Sequence, residues 1–183
     1  MVKPIRFTVD EAQAAGDAWG FNCGPGALCA LLNMTPAEMR PHLGDFERKG
    51  YIGPTSMRQI LDGMHIAYWW QVVPETYPPV NLWPDNSLIR VQWAGPWTKP
   101  QVPMVARYGH THWIACRHVG TAENEVFDIN ATCAGGWMPV SEWTEQLVPW
   151  LLKQCEPKAT GEWWHTHRVY FTTPRTLEAK NRI

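Results

Sequence analysis

Asn22-Cys23-Gly24-Pro25-Gly26-Ala27-Leu28-Cys29-Ala30-Leu31-Leu32 passes through three residues small enough to crowd a cleft and then becomes apolar. Its spacing predicts a buried helix from about Cys23 to Asn33. One thiol therefore sits at a helix N-terminus, where unpaired N–H groups and partial positive charge favour thiolate over thiol. Cys29 lies almost two turns further on and is expected to face the core.

Around this helix the chain reads as helices first and strands later. Residues 10–20 are a weakly helical or coiled approach. Thr35-Pro36-Ala37-Glu38 combines an N-cap, a proline at the first helical position and a reciprocal glutamate, which predicts a short helix to about Leu43. Gly53-Pro54-Thr55-Ser56 opens another, with Met57, Ile60, Leu61 and Met64 on one face and Gly63 near its end. The period then changes. Ile66 to Val73 and Ser87 to Trp93 are aromatic and β-branched, and Pro74, Pro78, Pro79 and Pro84 make a rigid loop between them. Val102 to Tyr108 and His112 to Val119, joined at Gly109-His110-Thr111, with Glu125 to Ile129, predict an antiparallel meander. A helix from Ser141 to about Gln154 with a kink at Pro149, a strand from Trp163 to Thr172 and a loose tail over 174–183 complete the reading. This order argues for an α+β fold and a single domain over residues 1–183.

Composition narrows the partners. A net charge of −1 leaves no broad basic face for a phosphate backbone or an anionic membrane, so nucleic acid and membrane surfaces are not expected partners. The first residues carry no apolar signal region, and no run of about 18 apolar residues occurs, so a soluble cytoplasmic protein is expected. Five cysteines, Cys23, Cys29, Cys116, Cys133 and Cys155, lack the spacing of a disulfide framework or a CxxC zinc site, which fits reduced thiols. Twelve tryptophans are read as packing for core and surface in preference to a stacking groove for sugar or peptide.

A cysteine nucleophile needs an imidazole to share its proton and later protonate the leaving group. His112, in Gly109-His110-Thr111-His112-Trp113-Ile114-Ala115, is the preferred base, with His110 in the turn as its rival. Asp128, in Val126-Phe127-Asp128-Ile129-Asn130, is the preferred orienter because an anion stabilises imidazolium better than the amide of Asn130 does. On a strand, Asp128 and Asn130 would share a face. His110 with His112 and His165 with His167 form two alternating pairs that, with a carboxylate, offer a metal site as the lesser reading; without H-E-x-x-H or paired CxxC no metal is assigned.

Together, Asn22-Cys23-Gly24-Pro25-Gly26-Ala27-Leu28, His112-Trp113-Ile114-Ala115 and Phe127-Asp128-Ile129-Asn130 resemble the papain-like cysteine peptidase superfamily. The likeness is strongest to its small bacterial and phage branch, which includes bacteriocin-leader-processing peptidases. The matching segments cover about a quarter of the chain. The resemblance implies a papain-like core, a thiol hydrolase acting on a peptide or protein without a cofactor, and a Cys23–His112–Asp128 triad. Many such peptidases carry a glutamine about six residues before the nucleophile that helps bind the oxyanion. Asp17 stands there in this sequence, and Gln13, Trp19 and Asn22 are the side chains left as candidates. Two other functions use the same residues: acyl transfer of a transglutaminase-like or amidase kind, which an amine acceptor would reveal, and a non-catalytic partner-gripping protein in phage–host conflict, in which Cys23 would be inert.

Overall fold

Six strands form one antiparallel sheet in the computed structural model, which describes residues 8–20, 23–75, 81–120, 123–131 and 136–172. They are β1 (Tyr68–Val72), β2 (Ser87–Trp93), β3 (Thr111–Arg117), β4 (Glu125–Phe127), β5 (Trp137–Pro139) and β6 (Trp163–Phe171), in the order β1-β6-β2-β3-β4-β5. With the helices before and after it, this is the expected α+β architecture.

The N-terminal helices cover one face. α1 (Val9–Trp19) is a full helix, firmer than residues 10–20 suggest, because Thr8 and Glu11 form a reciprocal capping box at its start. α2 (Cys23–Leu32) begins at the cysteine as expected. α3 (Pro36–Met39) has the Thr35–Glu38 box and passes into a 3-10 turn at Arg40–His42, where Pro41 has no N–H to continue an α-helical ladder. A one-turn helix, α4 (Phe46–Lys49), precedes α5 (Pro54–Gly63), whose Met57, Ile60 and Leu61 are buried. The other face carries α6 (Val140–Glu142), a π-helical turn at Trp143–Leu147 and α7 (Val148–Gln154). The irregularity expected at Pro149 is thus a π turn just ahead of it, which widens the ladder where the proline ring would strike the preceding carbonyl.

Alternation along the strands sorts two cores. Leu88, Trp113, Ala115 and Phe127 pack with Leu28, Phe46, Met57 and Leu61 of the N-terminal layer. Ile89, Val91, Ile114, Cys116 and Val126 pack with Trp97, Trp143, Val148 and Leu152 on the opposite face. β2 is buried along its whole length, so its outward and inward positions are both apolar save Ser87, Arg90 and Gln92.

Two expectations about strands fail. Val102 to Tyr108 is not a strand: Met104–His110 is a 3-10 segment, and β3 pairs with β2 on one side and β4 on the other. Both edges of β3 are therefore taken, and Pro103 removes a donor that a strand there would need. The meander consists of β2, β3, β4 and the unanticipated β5. The second failure is the shared face of His165 and His167 and not the strand itself: β6 lies where a strand is expected from Trp163 to Thr172, but a β-bulge between Arg90 and Val91 sets His167 opposite Arg90 and His165 opposite Val91. His165 then packs on Trp83 and Trp163 in one core while His167 meets Trp70 on the other face. The tail over 174–183, Asn22 and Cys133 lie outside the described residues.

Candidate active site

α2 sets the candidate nucleophile. It packs closely enough on the sheet that a Cβ at Gly26 would stand 3.1 Å from Ile129, so small residues at this helix start let Cys23 reach β3. Cys23 is half-buried; its sulfur accepts a hydrogen bond from the Trp113 backbone N–H and is hydrogen-bonded to the His112 side chain. Burial acts to raise the thiol pKa, but the His112 hydrogen bond and charge and the Trp113 N–H outweigh it, and the net shift is downward.

β3 sets the base. His112 points to the face opposite α2, 7% exposed, with its ring stacked on Trp93 at 6.0 Å. Its Nε2 lies 2.9 Å from Asp128 Oδ1, a chiefly ionic contact because the ring N–H is not aimed along the line to the oxygen. That leaves Nδ1 for the thiol. Burial works against the imidazolium, yet the Asp128 carboxylate beside it, joined by Cys23, pushes the His112 pKa up to about 10. Imidazole and thiol thus favour the ionised pair.

Asp128 follows the last residue of β4 and is fully buried. The backbone N–H and side-chain amide of Asn130 donate to Oδ1 at 2.9 and 3.0 Å, and the Trp143 indole N–H donates to Oδ2 at 2.8 Å. Burial alone would raise this carboxyl; His112 and these donors hold it below the usual carboxylate range. Asn130 is therefore not a rival orienter on the same strand face but a residue that holds Asp128, since β4 ends at Phe127 and the chain turns.

The remaining sequence candidates fall elsewhere. His110 lies in the 3-10 segment with its ring stacked on Trp97 at 3.5 Å, and burial lowers its pKa. Gln13 donates to Asp17 on exposed α1. Trp19 packs on Phe46 and its indole N–H is buried without an acceptor, but it lines a groove formed by α1, Thr35 and Pro36. Among the described residues, no three His, Cys, Asp or Glu side chains form a metal-holding group. The alternating pair His165 and His167 is divided between faces by the bulge.

Sequence reading missed Trp93 and Trp143, which wall the ion pair, and Arg90, which carries charge beside it. Their placement depends on strand order, for which the sequence has no local signal. A cavity of about 300 Å³ opens on the His112 side, lined by Trp93, His110, Asn130, Leu151, Gln154 and Cys155 among others. No protein-family model matches this chain, and no curated protein is detectably similar to it.

Proposed function

We propose that this chain is a thiol-dependent hydrolase that cleaves a peptide or isopeptide bond through an acyl-enzyme, on a papain-like core. One observation carries the reading: Cys23 shares a hydrogen bond with His112, whose far nitrogen is 2.9 Å from the buried Asp128.

The Cys23 thiolate attacks the scissile carbonyl carbon, and the electron pair moves to oxygen. The resulting oxyanion lies by the first N–H groups of α2, the Cys23 backbone N–H among them. Imidazolium His112 gives its proton to the leaving nitrogen, the C–N bond breaks, and a thioester remains. Neutral His112 next takes a proton from water, the hydroxide adds to the thioester, and loss of the C–S bond restores thiolate and imidazolium. Asp128 stays ionised throughout and fixes the ring. The cavity beside His112 gives the leaving segment a place to sit.

The test is alkylation by a peptide-like electrophile, mapped by mass spectrometry. The reading expects Cys23 to react ahead of Cys29, Cys116 and Cys155, and His112→Ala to slow it by about 100-fold or more. Equal rates in the two proteins would overturn it. Release of new amino termini from a peptide mixture, abolished in Cys23→Ala, would identify hydrolysis directly.

A further inference from the structure

Next to the thiol, on the α2 face of the sheet, lies an arginine that the reaction above does not use. Arg90 stands directly across the β2–β3 ladder from Trp113, the residue whose backbone N–H touches the Cys23 sulfur, and directly across the β2–β6 ladder from His167. Side chains opposite one another in antiparallel strands share a face, so the guanidinium, the His167 ring and the approach to the thiol lie together.

Arg90 is 6% exposed, and such a buried cation is ordinarily met by a carboxylate. Here it has none among the described residues. Nη2 donates to Thr111 Oγ1 at 2.9 Å, and Nε is buried without an acceptor. The Tyr108 ring, 51% exposed, stands 5.9 Å from Cζ and offers a π face, not an anion. The neighbours add positive charge: Arg58 lies over Trp70 at 4.5 Å, and Trp70 meets both Trp113 and His167. Burial, Arg90 and Arg58 together hold the His167 pKa down to about 4. A guanidinium has a planar fork of donors suited to a carboxylate, and this one keeps an unmatched donor, Nε, beside a candidate nucleophile.

We propose that Arg90 recognises an acidic side chain of the substrate, on the residue whose carbonyl Cys23 attacks or on its immediate neighbour. The inference rests on the hydrolase reading and gives it a substrate class: acidic peptides. An aspartate or glutamate arriving there replaces the missing counter-charge, so the desolvation already present in the fold becomes selectivity for that side chain.

Two measurements on the full chain test this. In the first, Cys23 is alkylated with iodoacetate and with iodoacetamide; in each the S–C bond forms as iodide leaves. Both rates scale with the thiolate fraction, so their ratio is independent of the Cys23 pKa and reports only the reagent's charge. The ratio is expected to fall about 10-fold or more in Arg90→Gln and to be largely kept in Arg90→Lys. A ratio unchanged within about twofold in Arg90→Gln, with the iodoacetamide rate as the check on folding, overturns the proposal.

In the second, Cys23→Ala is titrated calorimetrically with three otherwise identical peptides: an amidated one containing Asp, an amidated one containing Asn, and the Asn peptide with a free C-terminus. The Asp peptide is expected to bind about 10-fold more tightly than its Asn counterpart, an advantage lost on adding Arg90→Gln. Equal binding of all three overturns the proposal, and preference for the free terminus overturns the side-chain assignment in favour of a terminal carboxylate. Should Arg90→Gln fail to fold, the comparison of peptides on Cys23→Ala alone decides. A Cys23 inert to both iodo reagents sinks the hydrolase reading, while the calorimetric arm still judges Arg90.

Discussion

At the scale of single residues, three ionisable groups shift one another toward their charged forms. The Cys23 thiol is lowered from its ordinary value of 9.0, whereas burial pushes Cys29 and Cys116 up to about 12. Alkylation of Cys23 is therefore expected to persist into neutral pH, with the other two reacting only in strong alkali, as site-resolved mass spectrometry against pH would record. His112→Ala removes the main lowering influence and should move the Cys23 profile to alkaline pH. The same groups set a stability window. The folded His112 pKa lies above its usual 6.5, so charged His112 stabilises the fold fully below about 6.5 and loses that contribution as pH rises through about 10. Asp128 is shifted the other way, so its contribution is present above the usual carboxylate range and is lost as pH falls through its lower folded value. Urea unfolding across pH should show a plateau between these limits, and His112→Ala should lack its alkaline fall. Trp143→Phe strips Asp128 Oδ2 of its indole donor and is expected to cost about 1.5–3 kcal/mol in the same assay.

At the scale of elements, caps and turns locate the residues that the proposed chemistry needs. The Thr35–Glu38 box starts α3, and Thr35→Ala is expected to cost about 1 kcal/mol, a fall of about 2–4 °C in Tm by calorimetry. Gly136 has a sharper role. Its φ of +80° lies in the left-handed region, its carbonyl accepts from the Asp128 backbone N–H at 2.8 Å, and a Cβ there would overlap the Phe127 ring. Gly136→Ala should destabilise by about 1–3 kcal/mol or more and weaken Cys23 reactivity through Asp128, measured by unfolding and alkylation on the same sample. The signals of these elements were unequally legible in the sequence. Caps such as Thr35-Pro36-Ala37-Glu38 act through neighbouring residues, so the start of α3 can be read directly, as can β2, whose apolar run coincides with the observed strand. Val102 to Tyr108 misleads because strand formation depends on a free partner edge, and β3 has none to offer. His165 and His167 mislead because one inserted residue at the bulge reverses the alternation on which the metal reading depends.

At the scale of the whole molecule, one sheet separates two cores, and the candidate site spans both. Cys23 belongs to the layer of Leu28, Phe46 and Leu61, while His112 and Asp128 lie with Trp93 and Trp143 on the far side. Either layer coming loose separates sulfur from imidazole. The rapid alkylation of Cys23 should therefore vanish in the same denaturant transition as the helical circular dichroism signal, and reactivity lost well before the helices would show that the layers unfold independently. The sequence marks Cys23, His112 and Asp128 by residue type and neighbours, but Trp93, Trp143 and Arg90 become part of the picture only through strand order, which no local pattern encodes. The candidate nucleophile and its candidate base also come from different stretches of the chain: α1 to α5, ending at Gly63, supply Cys23 and the helices packed around it, while His112 and Asp128 both follow Tyr68. The covalent link between α5 and β1 contributes no atom to the proposed triad, so a polypeptide nicked there would retain the contact between Cys23 and His112 for as long as its two fragments stayed docked, and thiol reactivity would serve as a gauge of fragment complementation.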